Sequence, residues 1–422
     1  MRSFIFTIFF LLLYEKFAKL SSNFVYRDRI ERELIMKQGE LFLANCNLYN
    51  SLNKKELVDI LIQNGVIRQI KEKKNNCEKV NLLNADGRTV APGFIDVHIQ
   101  GAGGADILDG AVNALQTISK TLARFGTTSF LATTVVHSDK DNHHVELAAK
   151  YTGKNLGGAH LLGIHLEGPF INTQKRGGIA TTNICSPSPK VLEDILNTTG
   201  DSLQIMTIAP ELNGSLDIIR RLVDYGVIAS FGHSNATYEE TKIGFDAGIS
   251  HVTHIFNAMP PLHHRTTGPL LAIFEAEDIS AQIIADGIHI HPGIINLIYK
   301  LLGEDRCICI TDGIQAIGLP EGKYVYNGRE YESKNGVARY LDGTLIGTAM
   351  SLNQISMRFK QFTNCSLEKA INTVSRNPGK LLGIENRKGT IEVGKDADLV
   401  IFDDDYSVWA TIVAGNVVYK KS

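Results

Sequence analysis

The sequence predicts an α/β protein: a (β/α)8 barrel of the TIM type, with a small β-sandwich domain formed from both chain ends. Three observations lead there. Between Thr89 and Gly313, short apolar runs rich in β-branched residues alternate with stretches of helical period, eight times. Several helical stretches stop at glycine, a common helix terminator. The flanks on either side carry strand and turn patterns instead.

In chain order the strand-like runs are Val90–Gln100, Thr128–Val135, His160–Gly168, Leu203–Pro210, Val227–Ser234, His251–Asn257, Ala281–His289 and Cys307–Gly313. The helical stretches between them include VNALQTISKTLARFG, SLDIIRRLVDYG, TYEETKIGFDAG and PGIINLIYKLLG. GAGGAD at Gly101–Asp106 matches a nucleotide-binding fingerprint only loosely, because the glycine spacing is wrong and no helix opens at once. Lys323–Leu345 reads as hairpins inserted after the eighth strand, with Asn327-Gly328 and Asn335-Gly336 as turns. The expected division is residues 31–88 and 385–422 in the β-sandwich and 89–384 in the catalytic barrel. Residues 1–30 form an apolar extension. Its uncharged run Phe4–Tyr14 is about half the length needed to span a bilayer. It has the shape of a signal peptide but lacks a clear small-x-small cleavage site, and fits an anchor as well.

Composition narrows the function. The chain has 422 residues, 44% of them hydrophobic, with 43 basic and 45 acidic side chains. A net charge of −2 argues against a generic nucleic-acid binder. Six scattered cysteines without a C-x-x-C pair read as free thiols in a reducing compartment, hence the cytoplasm. The apolar N-terminus leaves a secretory or membrane-associated form open.

In a parallel barrel all strand C-termini open at one mouth, where such folds place their chemistry. The predicted tips carry His98 and Gln100 on the first strand, Glu167 on the third, His233 on the fifth and His254 on the sixth. Asp286 and His289 follow on the seventh, and Asp312 on the eighth. Glu167, His233 and His254 make a carboxylate–imidazole–imidazole donor set for a divalent cation. Zn2+ heads the candidates, and Fe2+, Co2+ and Mn2+ accept the same donors. Three protein ligands leave room for water, as catalytic sites do. Asp312 is the candidate general base and acid. His251 and His165 are expected to pack or support.

The segments APGFIDVHIQG, HLEGPF, GHSNA, THIFNAM, ADGIHI, TDG and GTIEVGKDADLVIFD, in that order, resemble the N-acetylglucosamine-6-phosphate deacetylase family of the amidohydrolase superfamily from about residue 40 to the C-terminus. The resemblance implies a metal-bearing barrel that works as a homodimer, takes a sugar phosphate and releases acetate from its acetamide, in amino-sugar catabolism. It implies metal ligands Glu167, His233 and His254, about one ion per subunit, with Asp312 as acid and base. Sugar-phosphate contacts are implied for Asn257, Ala258 and Arg265, the last across the dimer interface, and for Asp286, Gly287, Ile288 and His289. His289 is expected to polarise the amide carbonyl, and Leu345, Ile346 and Gly347 to line the acetyl pocket. Two departures stand out. His98-x-Gln100 replaces the His-x-His of many amidohydrolases, which leaves His98 as at most a weak second metal site. In KRGGIATTN, Gly178 and Ile179 occupy the place where the family has a small residue and a substrate-contacting histidine. The Ile179 departure also admits a deacetylase of a related amino sugar; a barrel paralogue without catalysis is the other alternative, and it predicts a missing ligand or acid/base where Glu167, His233, His254 and Asp312 all remain.

Overall fold

Eight short parallel strands follow one another around the barrel in chain order: β1 (Phe94–Ile99), β2 (Thr127–Thr134), β3 (His160–Glu167), β4 (Leu203–Ile208), β5 (Ile228–Phe231), β6 (His251–Val252), β7 (Ser280–Ile283) and β8 (Cys307–Cys309). They belong to a computed structural model that describes residues 39–50, 56–72, 81–137, 141–326 and 328–422. The expected N-terminal extension and the turn residue Asn327 lie outside the described residues. The ring closes just beyond β8, where Ile99 bridges Gly313 in parallel. There the Gln100 amide donates to the Gly313 carbonyl (2.8 Å) and the Asp312 amide to the His98 carbonyl (3.0 Å). This seam brings the tips of the first and last strands side by side.

Helices α1 (Val112–Arg124), α2 (His143–Tyr151), α3 (Pro189–Thr199), α4 (Ser215–Asp224), α5 (Tyr238–Ala247), α6 (Gly268–Glu275), α7 (Pro292–Leu302) and α8 (Leu352–Thr363) alternate with the strands. Their apolar spacing decides which face they bury. In α4, Ile218, Ile219 and Leu222 are buried while Asp217, Arg220 and Arg221 face water. Each such aliphatic side chain contributes roughly 1.5–3 kcal/mol on burial. A capping box fixes the start of α5: the Thr237 hydroxyl accepts from the Glu240 amide, and the Glu240 carboxylate accepts from the Thr237 amide. Among the described residues no helix is long and apolar enough to cross a membrane.

The chain ends meet in a second eight-stranded sheet. Glu40–Leu48, Val58–Gln63, Val66–Glu72, Leu82–Asn84 and Thr89–Pro92 join Leu399–Phe402, Val408–Val413 and Asn416–Lys420. Glu40–Leu48 is irregular after Leu43; its first part pairs with Val58–Gln63 and its last two residues with Thr89 and Val90. The two halves thereby enclose one core, with Leu43, Ile60, Ile62 and Ile67 against Leu399, Ile401 and Ile412.

The structure departs from the sequence reading in two runs. Val90–Gln100 is not one strand. It breaks at Gly93, where a Cβ would lie 2.2 Å from Thr128 Cγ2, so the piece before it joins the terminal sheet and the piece after it begins the barrel. The sixth strand is only His251–Val252, because the chain turns sharply from His254 to Ala258 through three positive φ angles. The insertion after β8 is a four-stranded antiparallel sheet, Gly322–Tyr326, Arg329–Lys334, Val337–Tyr340 and Leu345–Thr348. Asn335 and Gly336 both take positive φ in its turn, as a two-residue hairpin of this kind requires.

Candidate active site

At the mouth of the barrel a cavity of about 250 Å3 holds Glu167, His233, His254 and Asp312 in its wall. Glu167 Oε1 lies 3.1 Å from His233 Nε2 and 3.2 Å from His254 Nε2, and the two ring nitrogens are 3.0 Å apart. All three residues are buried. Backbone geometry aims them: His233, His254 and Asp312 all have positive φ, at 48°, 28° and 45°. Such conformations cost about 1–3 kcal/mol each in non-glycine residues and concentrate at functional sites.

The donors fit a cation. His233 Nδ1 lies 2.8 Å from the Lys175 carbonyl and must carry the proton there, so the neutral ring presents a lone pair at Nε2. Burial lowers the pKa of His254 and favours its neutral form. Burial alone would raise the pKa of Glu167, but the charge of His98 beside it holds it well below the usual carboxylate range. The lone pair at His233 Nε2 and the Glu167 carboxylate oxygen, packed this closely, repel each other unless a positive charge lies between them. These three residues are the one cluster among the described residues suited to a metal ion.

Beside them, Asp312 Oδ1 accepts from Gln100 Nε2 (2.9 Å) and lies 3.2 Å from His98 Nε2. Burial works against its charge, yet His98 brings its pKa down to about 2, so it is a carboxylate. His98 itself is fully buried beneath the cavity. Burial opposes its charge too, but Glu167 and Asp312 on either side raise its pKa well above the usual imidazole value. Its Nδ1 is 2.9 Å from Gln282 Oε1. His165 lies edge-on to His98 at 4.7 Å, and His251 is bonded to Ser280. Both lie away from the cavity wall.

Of the expected substrate residues, Gly178, Ile179, Asn257, Ala258, His289, Leu345, Ile346 and Gly347 line the same cavity. Asp286 stands behind His289 instead. Its Oδ1 accepts from the amides of Ile288 (2.9 Å) and His289 (2.8 Å), while Oδ2 is 2.6 Å from His289 Nδ1. Gly287 makes the turn between them at φ 76°, and Ile288 is 39% exposed. Arg265 lies on an exposed loop outside the cavity wall. Sequence reasoning missed Asp106, Thr133, Thr134, Asn183 and Tyr326, which also line the cavity. Asp106 follows the GAGGA turn, whose spacing could have flagged it; Tyr326 arrives from the inserted sheet, far from any strand tip.

Residues 89–418 match the amidohydrolase family. The N-acetylglucosamine-6-phosphate deacetylase of Bacillus subtilis (strain 168) is 38% identical over 332 residues, 78% of this chain and 84% of its own length. The chain is an amidohydrolase of the N-acetylglucosamine-6-phosphate deacetylase family. The crystal structure of the N-acetylglucosamine-6-phosphate deacetylase from Pasteurella multocida, at 28% identity, superposes with a TM-score of 0.83 over 90% of this chain and all of its own. A mutant of the Mycobacterium smegmatis deacetylase in complex with N-acetyl-D-glucosamine 6-phosphate, 29% identical, gives a TM-score of 0.81 over 90% of this chain and all of its own. Amidohydrolases generally depend on divalent metal, and the buried Glu167–His233–His254 cluster is the matching candidate here.

Proposed function

We propose that this amidohydrolase removes acetate from N-acetyl-D-glucosamine 6-phosphate, leaving D-glucosamine 6-phosphate, as a step in amino-sugar catabolism. The observation that carries the reading is the meeting of Glu167, His233, His254 and Asp312 in one cavity wall with His289. Glu167, His233 and His254 hold one divalent cation, Zn2+ foremost. When bound, that cation supplies Lewis-acid polarisation and a lowered pKa for water.

The chain's own groups do the rest. Asp312, ionised beside His98 and oriented by Gln100, takes the proton from the attacking water. It then returns that proton to the amide nitrogen, because an amide anion is too poor a leaving group to depart unprotonated. His289, with Nδ1 donating to Asp286, acts as the imidazolium and donates from Nε2–H to the oxygen on which negative charge develops. Leu345, Ile346 and Gly347 hold the acetyl methyl, and Gly178, Ile179, Asn257 and Ala258 hold the sugar. Arg265, on its exposed loop, meets the phosphate of a substrate bound in the second subunit of a homodimer, where a guanidinium grips phosphate with two hydrogen bonds. Residues 89–384 carry this chemistry, and residues 31–88 with 385–422 buttress it.

The purified chain should release acetate from N-acetylglucosamine 6-phosphate at least 10-fold faster, in kcat/KM, than from N-acetylglucosamine. Equal rates would assign the site to an unphosphorylated amino sugar instead.

A further inference from the structure

Glu211 follows β4 in the sequence APEL and does not line the cavity. Its carboxylate nonetheless gathers donors from two loops that shape the site. Oε1 accepts from Asn172 Nδ2 (3.0 Å) in the loop after β3 and from the Asn235 amide (2.6 Å) after β5. Oε2 accepts from the Ser234 hydroxyl (2.7 Å), which in turn accepts from the Ala236 amide. Ser234 and Asn235 directly follow His233, whose φ of 48° would relax without restraint. Asn172 holds the other side: its amide donates to the His233 carbonyl (2.8 Å), and its carbonyl accepts from the Lys175 amide (2.9 Å). The Lys175 carbonyl then meets His233 Nδ1 at 2.8 Å. One carboxylate thus ties down the backbone that bends at His233 and the loop that fixes its ring.

We propose that Glu211 is a positioning residue for His233: it holds that imidazole at the angle and in the tautomer that metal binding needs, without touching metal or substrate. The inference rests on the reading of Glu167, His233 and His254 as metal ligands. Three donors converge on the two oxygens, and an ionised carboxylate accepts at both. In Glu211→Gln the side-chain oxygen would still accept from Asn172 and Asn235 while the new amide group turned toward Ser234. The conservative variant therefore keeps most of the brace, and Glu211→Ala keeps none of it.

The test is Co2+ binding to the full chain, read by titration and by the visible absorption of the bound ion. Losing support of a ligating histidine typically weakens metal binding 10–100-fold. Glu211→Ala should raise the Co2+ Kd at least 10-fold and change the visible spectrum, and Glu211→Gln should recover most of both. Glu240→Ala is the control. It removes the carboxylate half of the α5 capping box, seven residues beyond His233, and should lower thermal stability while leaving Co2+ binding as in the unaltered chain. Wild-type Co2+ affinity and spectrum in Glu211→Ala would overturn the brace alone, as would an equal loss in Glu240→Ala. If Glu211→Ala does not fold, Glu211→Gln decides: a Kd and spectrum close to the unaltered chain support the brace, and a loss of binding overturns it. An unaltered chain that binds no Co2+ overturns the metal reading and the brace with it.

Discussion

Asp312 is where charge, geometry and chemistry meet at the scale of one residue. It sits at φ 45°, takes a hydrogen bond from Gln100 and lies against His98, which keeps it ionised and aimed into the cavity. Asp312→Asn preserves that shape but cannot accept a proton. Its kcat should fall by about 10²–10⁴-fold, the usual contribution of general acid–base catalysis, with metal content unchanged in the same sample. Near-normal turnover in a fully metallated variant would move the proton transfer to another group. The amide Nε2 of Gln100 points hydrogens at Asp312 Oδ1, where a histidine in its place would offer a lone pair.

At the scale of the element, the mouth is built by short turns whose side chains cap the backbone. Asp106 shows what such a turn costs. It caps the turn Ile107–Asp109, accepting from the Leu108 amide, but its Oδ2 is buried without a partner. Burial, with Asp109 nearby, pushes its pKa from 3.8 to about 7. The folded chain therefore holds this proton more tightly than the unfolded chain does. Stability from this group is fully present below pH 4 and is lost as pH rises toward 7. Asp106→Asn keeps the acceptor for Leu108 and removes the titration. It should melt higher than the unaltered chain at pH 8, by at least about 1 kcal/mol in stability, with the gap closing toward pH 4. A gap that stays constant with pH would show that Asp106 is not the group responsible. The sequence could announce Asp106 only as part of a turn, because its burial depends on the loops that fold over it.

Across the whole molecule, the parts legible in the sequence were those set by local period and by strand tips. The alternation from Phe94 to Cys309, the glycine stops after α1, α4, α5 and α7, and the placement of Glu167, His233, His254 and Asp312 at strand ends all follow from short-range pattern. What stayed hidden depends on distant partners. Gly93 separates two sheets only because Thr128 packs against it, and Tyr326 reaches the cavity only because the inserted sheet folds back over the mouth. Glu211 had no signal at all, since its three partners come from residues 172, 234 and 235.

On the proposed function, these separate strand tips form one metal-dependent deacetylation site. The direct measurement is acetate release from N-acetylglucosamine 6-phosphate by chain stripped with a chelator and then titrated with Zn2+. The stripped chain should be inactive, and activity should rise linearly to a plateau at about one Zn2+ per chain, the stoichiometry of a single three-ligand site. Full turnover by the stripped chain, or none at any Zn2+ concentration, would rule out a metal-dependent deacetylation site.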